Sequence, residues 1–180
     1  FMTFKKIKTL VLLTLGTGIG GGVIVNGRLL TGANGIAGEI GHIIVQKNGA
    51  PCNCGNRGCL EAYASEQGLL KIAEGYVVRN IEPINIFRLA EREDPKFCRI
   101  VKEYCSYLGT GLVSIVHILD PDVIVISGGL SNAGNVLLTI LKSSVYGNII
   151  CGFKPKITLA RLGTFSGSIG AALYANKNAH

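Results

Sequence analysis

At 180 residues the chain is long enough for one domain with a substantial core and short for two. Apolar residues make up 48% of it against 16% charged, with no tryptophan, a balance that points to a surface meeting a partner. The formal charge of +7 comes from scattered basic residues without interleaved aromatic platforms, so it reads as solvated surface, and nucleic acid is not an expected partner.

The chain opens on Phe1-Met2 instead of Met, which suggests a fragment or an appended residue. Lys5, Lys6 and Lys8 precede an uncharged stretch, Leu10 to Gly27, but glycine at 16, 18, 20, 21, 22 and 27 is wrong for a membrane-spanning helix. No small-residue cleavage site follows, so a cytoplasmic location is expected and a membrane is not.

Residues 9–15 (TLVLLTL), 23–26 (VIVN) and 42–46 (HIIVQ) are short β-branched and aliphatic runs that read as an antiparallel meander. From Leu60 the period changes. Leu60, Tyr63, Ala64, Leu69, Ile72 and Ala73 recur at near-helical spacing, giving a helix of several turns with an interruption expected at Gly68. Further helices fit 84–93 and 95–119, the second opened by Pro95 and striped by Phe97, Ile100, Val101, Tyr104, Leu108, Leu112 and Ile115. His117 falls on that stripe and reads as a core histidine. Asp120-Pro121-Asp122 marks a turn, 123–127 (VIVIS) a buried strand, and 132–146 a helix after Gly128-Gly129. A strand over 156–162 and a helix over 166–175 complete an α/β layered domain with a mixed sheet.

Between these elements lies HIIVQKNGAPCNCGNRGCLEAYAS, residues 42–65. His42, Cys52, Cys54 and Cys59 form a Cys3His set, a standard complement for tetrahedral zinc. A disulfide reading is less attractive, because three clustered cysteines leave one over and a cytoplasmic chain is reduced. Cys98, Cys105 and Cys151 sit singly in apolar contexts, where free cysteine is commonly buried. Four protein ligands imply a closed, structural ion that steadies a loop with little core of its own. A zinc-bound imidazole keeps its second ring nitrogen for a hydroxyl or carboxylate, so Glu39, His42 and Glu61 can line a small polyol site. The plainer reading of Glu61 is a carboxylate in the first turn of a helix, where it is favoured in any case. Both readings stand at this level.

TLGTGIGGGVIVNG contains G-x-G-x-x-G at Gly16, Gly18 and Gly21, yet the glycines run into a strand-like segment and not a helix, which excludes the dinucleotide fingerprint. The P-loop lysine is missing too. What remains is a glycine hairpin whose backbone N–H groups, with the Thr14 and Thr17 hydroxyls, can approach phosphate oxygens, or else a tight turn that binds nothing. Gly128-Gly129 can lie against a nucleotide in the same way.

Taken together, TLGTGIGGG, GANGIAGEIGH (32–42), CNCGNRGCLEAYAS, VIVISGGLS and LGTFSGSIGAALYA resemble the ROK family of repressors and sugar kinases over nearly the whole chain, and within it the bacterial glucokinases. The resemblance implies an actin-like ATPase (ribonuclease H-like) domain, a mixed sheet with helices on both faces. It implies sugar, glucose first, on Glu39, His42 and Glu61. Nucleotide would lie on Thr14, Gly16, Thr17, Gly18, Gly128 and Gly129, with ATP and Mg²⁺ as cosubstrate, and structural zinc on His42, Cys52, Cys54 and Cys59. It also implies a homodimer. Family kinases carry an N-terminal lobe with an Asp-Gly-Gly-Thr type phosphate motif and an Asn-Asp pair supplying the general base. Neither motif is present, and Asp94, Asp120 and Asp122, the only aspartates, lie in turn-like contexts. The expectation is therefore a C-terminal domain spanning 1–180, with the zinc loop at 42–59, no catalytic base of its own and no turnover alone. A sugar-sensing repressor domain, and a kinase for N-acetylmannosamine or another hexose, are the alternatives.

Overall fold

A computed structural model describes residues 7–161. Its sheet is built on β1 (Leu10–Leu15), whose alternation of fully buried Val11, Leu13 and Leu15 with half-buried neighbours is the period-two signature of a strand with one face on the core. β1 pairs antiparallel with β2 (Ile19–Val25), which pairs with β3 (Arg28–Leu29). On its other side β1 runs parallel to β4 (Val123–Ser127), followed by β5 (Lys156–Leu159), giving the order β3-β2-β1-β4-β5. The mixed sheet expected from the sequence is present. Among the described residues no helix is long and apolar enough to cross a membrane.

The parallel β1–β4 step requires a crossover, and the helices supply it. α1 (Glu61–Ala64), α2 (Glu66–Gly75), α3 (Pro83–Glu91) and α4 (Pro95–Leu119) precede β4, and α5 (Gly134–Tyr146) follows it after a 3-10 turn at Gly129–Ala133. α4 has the bounds that its sequence dictates. Asp94 caps it by accepting the Lys96 and Phe97 N–H groups at 2.9 and 3.3 Å, and Pro95 stands at the first helical position. It ends at Asp120, left-handed at φ 43°, before Pro121. Its stripe of Ile100, Tyr104, Leu108, Leu112 and Ile115 joins Leu13, Ile124, Ile126, Leu137 and Leu141 in one core. Tyr104, completely buried, donates its hydroxyl to the Ala64 carbonyl at 2.8 Å.

Three expectations are corrected. The run 42–46 is not a sheet strand: His42 ends a 3-10 turn (Ile40–His42), and Ile44 forms an isolated bridge to Cys59. The third strand is instead the two-residue β3, because the chain turns back at Asn26-Gly27, both at positive φ. The helix from Leu60 breaks at Ser65 and not at Gly68, since Ser65 is extended and its Oγ accepts the Gly68 N–H at 3.2 Å as the cap of α2. His117 is exposed, its Nε2 accepting the Ile150 N–H at 3.3 Å. Of the dispersed cysteines, Cys105 is buried and Cys98 half-buried. The helix expected over 166–175, like the LGTFSGSIGAALYA stretch that carries part of the resemblance, lies outside the described residues.

The start of β1 is tied to the turn before β4: Asp122 Oδ2 accepts the Lys8 and Thr9 N–H groups at 2.8 and 2.9 Å. Those donors, Thr9 first and Lys8 second, hold the Asp122 carboxyl below its ordinary 3.8. A depressed carboxyl stabilises the fold at pH above its unfolded value and loses that contribution as the pH falls through the folded one. Melting temperature followed by circular dichroism should therefore show Asp122→Asn less stable than wild type at pH 7 and the gap closing below pH about 4. Parallel melting profiles for the two proteins across that range would refute the tie.

Candidate functional site

β1 and β4 end side by side, Thr14 opposite Ser127, and each is followed by glycine. Crevices outside the carboxyl ends of parallel strands are where open α/β sheets bind ligands. After β1, Gly16-Thr17-Gly18 makes the hairpin into β2, tightened by a Gly16 N–H bond to the Gly18 carbonyl at 3.1 Å. After β4, Gly128 sits at φ +87° with its α-carbon against the Leu15 backbone, where a Cβ would collide. Thr14 lies over Gly20, its Oγ1 2.5 Å from where a Cβ would stand. The fold thus brings the six residues expected on the nucleotide side to one end of the sheet.

The cysteine loop approaches from the other side. Its base is closed by backbone: the Val45 and Gln46 N–H groups both donate to the Gly58 carbonyl, at 2.8 and 3.2 Å, and Leu60 N–H donates to Ile43 at 2.8 Å. Tyr63 accepts the Ala50 N–H at 2.6 Å and pins the middle. Leu60, completely buried, packs over Gly111 of α4, where a Cβ would stand 2.6 Å from Leu60 Cδ2.

This closure gathers one donor atom from each of His42, Cys52, Cys54 and Cys59 within 4.8 Å of one another. Tetrahedral zinc with Zn–S near 2.3 Å and Zn–N near 2.0–2.1 Å sets S···S and S···N separations of about 3.8 and 3.6 Å. Cys54 and Cys59 lie 3.6 Å apart, and Cys52 Sγ is 3.8 Å from His42 Nδ1. The donor set fits. The geometry also assigns the two ring nitrogens: Nδ1 faces the sulfurs, and Nε2 faces Glu39 Oε2 at 3.9 Å. Burial pushes the Cys59 thiol up to about 12, helped by its neighbours Cys54 and Cys52, whereas the exposed Cys54 is lowered, chiefly by the Asn56 backbone N–H. Clustered thiols do not all ionise without a cation, and a divalent ion bound there would deprotonate them.

Glu61 is the residue whose role the sequence left undecided. Its Oε2 accepts the Ile19 N–H of the glycine hairpin at 2.9 Å, and its Oε1 lies 3.8 Å from Cys52 Sγ. Glu39, two-thirds exposed, stands on the far side of His42. A cavity of about 90 Å³ bounded by Thr17, Cys52, Glu61, Ser65, Gln67 and Lys71 adjoins the hairpin. A larger cleft of about 380 Å³ opens between α2 and α4, walled by stacked Tyr63 and Tyr107. The smaller cavity touches both the hairpin and the cysteine loop. Sequence reasoning missed three contributors, Tyr63, the Ile19 amide and the Glu66 amide, which donates to the Gly16 carbonyl at 2.8 Å. Two are backbone groups, and no sequence signal marks them.

The chain is similar to known proteins of one family. The ROK family profile matches residues 1–178. A glucokinase of Halalkalibacterium halodurans is 38% identical over 91% of this chain and 54% of its own length. A xylose repressor of Bacillus subtilis is 33% identical over 81% of this chain and 38% of its own. The solved structure of a Streptomyces griseus ROK glucokinase in complex with glucose and AMPPNP superposes with a TM-score of 0.90 at 30% identity, covering 97% of this chain and 62% of that one. The fold is the actin-like ATPase domain, and the chain spans about half the length of the curated glucokinase it matches.

Gly58, at φ +83°, has no room for a Cβ beside the Gln46 carbonyl. Gly58→Ala should weaken zinc binding at least about tenfold by opening the loop base, with far-UV circular dichroism unchanged. Wild-type affinity in that variant would show that some other feature gathers the donors.

Proposed function

The chain belongs to the ROK family, and on that premise we propose that it forms the sugar- and phosphate-binding part of an ATP-dependent hexose kinase, with glucose as acceptor. One observation carries the reading: the Glu61 carboxylate reaches from the cysteine loop to the glycine hairpin, so a hydroxyl held there lies beside a turn suited to phosphate. Likeness to glucokinases, one of them solved with glucose and AMPPNP, supports it.

Phosphoryl transfer asks for an acceptor hydroxyl in line with the γ-phosphate, charge neutralised on the transferring group, and a proton acceptor. Glu39, the His42 Nε2 side and Glu61 supply donors and acceptors for neighbouring hydroxyls. The Thr17 and Gly18 amides, the Thr14 and Thr17 hydroxyls and the Gly128-Gly129 segment face phosphate oxygens, with Mg²⁺ carried in on the nucleotide. His42 Nδ1, Cys52, Cys54 and Cys59 would hold a structural zinc. Bound there, it would supply order to the loop. Thiols kept reduced as metal ligands suit a reducing compartment, in line with a cytoplasmic kinase.

None of the three aspartates lines the cavity: Asp94 caps α4, Asp120 ends it, and Asp122 holds Lys8 and Thr9. The general base is therefore proposed to come from a segment outside these 180 residues, with the chain acting as the C-terminal part of a homodimeric kinase. The sugar-sensing reading, favoured by the xylose-repressor likeness, keeps the zinc loop and the acid cup but gives the hairpin no ligand.

Calorimetry on the purified chain should show a nonhydrolysable ATP analogue binding with Mg²⁺, glucose binding separately, and no glucose-dependent ADP release. Sugar binding with no nucleotide binding would favour the sensor, and steady turnover would overturn the placement of the base. Elemental analysis should give about one zinc per chain, and a folded, unchelated sample free of metal would remove the zinc assignment.

A further inference from the structure

We propose that Glu61 positions the phosphate hairpin, besides facing the sugar, and so couples the two substrate sites through one carboxylate. The inference rests on the kinase reading above for its consequence, though not for its geometry.

Glu61 follows Cys59 by two residues and begins α1, a helix of only four residues. Were it there to serve that helix, its carboxylate would turn back to the helix's own first N–H groups. No side-chain cap bond exists at α1. Instead Oε2 accepts the amide of Ile19, 42 residues earlier in the chain, at 2.9 Å. The fit is close: a Cβ on Gly18 would stand 2.6 Å from the same oxygen. The other end of the turn is held from the same corner, where the Glu66 N–H donates to the Gly16 carbonyl at 2.8 Å. Both legs of Gly16-Thr17-Gly18 are thus fixed to the α1–α2 corner, and the Thr17 and Gly18 amides are left at its tip. A glycine turn of this kind has many accessible conformations, and holding one of them is what a phosphate cradle requires.

The post that carries Glu61 is itself rigid. Leu60 is fully buried against α4, and its N–H is bound to Ile43. A carboxylate offers about four lone-pair sites, so Oε2 can keep Ile19 while Oε1 takes a hydroxyl. Oε1 lies on the cysteine-loop side, 3.8 Å from Cys52 Sγ. A hydroxyl drawn onto Oε1 orders the carboxylate, and the ordered carboxylate holds the hairpin. Glucose and nucleotide should then each tighten the other by the same factor. An amide bond to an ionised carboxylate is worth about tenfold to a hundredfold in an equilibrium, enough for this link to be measured.

The test compares wild type with Glu61→Ala, Glu61→Gln and Gly18→Ala, the last displacing the Glu61 contact while leaving every cysteine and histidine in place. Far-UV circular dichroism and zinc content check that each variant folds. Exchange of the Ile19 amide is read by NMR without ligand, and affinities for glucose and for the Mg²⁺ complex of an ATP analogue by calorimetry, each alone and with the other present. In Glu61→Ala and Gly18→Ala the Ile19 amide should exchange about tenfold faster or more, analogue affinity should fall about tenfold, and the mutual tightening should vanish. Glu61→Gln, with a neutral acceptor of the same shape, should recover part of the Ile19 protection. Unchanged Ile19 exchange and analogue affinity in Glu61→Ala, with glucose affinity alone reduced, would overturn the proposal and leave the kinase reading standing. A wild-type chain that binds neither ligand would sink the kinase reading, while Ile19 exchange still decides the tether.

Discussion

The closure of the loop between Ile43 and Leu60 is the constraint from which the rest of the site follows. Little apolar surface is available to hold it: Cys59 and Leu60 are its fully buried side chains, and the stretch 53–57 is exposed. Backbone pairing at its base, one tyrosine hydroxyl on Ala50 and a convergent set of soft donors do what a core does elsewhere. A segment so poor in burial gains order from whatever its donors bind, which is the usual economy of small metal-closed loops. Leu60 then acts as the plug that transmits this order into α4 through the space left by Gly111.

From that plug outward, the arrangement depends on the sheet. The four-helix crossover between β1 and β4 places two glycine turns at neighbouring strand ends, and α1 and α2 belong to the same crossover. The connection that makes the parallel pair possible therefore also delivers the acid side chain to the first turn. Gly128 is required by the same geometry, because β4 leaves the sheet against the Leu15 backbone in a conformation with positive φ. In the large cleft between α2 and α4, Tyr76 donates to Glu103 at 3.0 Å and Tyr63 accepts from Ala50. Its size does not make it the chemical centre.

Where the sequence misled, a local rule met a competing partner. His42 to Gln46 has strand composition, yet its backbone groups pair with 58–60 because the cysteine loop returns alongside it and the sheet edge is occupied by β3. Gly68 looks like a helix breaker, but Ser65 three residues earlier offers a cap, and a glycine in the first turn fits where a Cβ would strike the Tyr63 backbone. His117 stands near the end of α4 between the buried Val116 and Leu119, which packs against the core, but its own position on the helix faces solvent.

The residues alone determined α4 from Pro95 to Leu119, β4 from Val123 to Ser127, and the identity of the four soft donors. Each of these is written in neighbours: a 3.6-residue period with its cap and proline, an unbroken β-branched run, three cysteines and a histidine within a short span. Tertiary structure decided which nitrogen of His42 faces the sulfurs, that Glu61 reaches Ile19 instead of its own helix, and that two glycine turns far apart in the chain meet at one edge. Those facts depend on distances between residues tens of positions apart, which only the folded path of the backbone sets, whereas local periodicity is carried by each segment by itself.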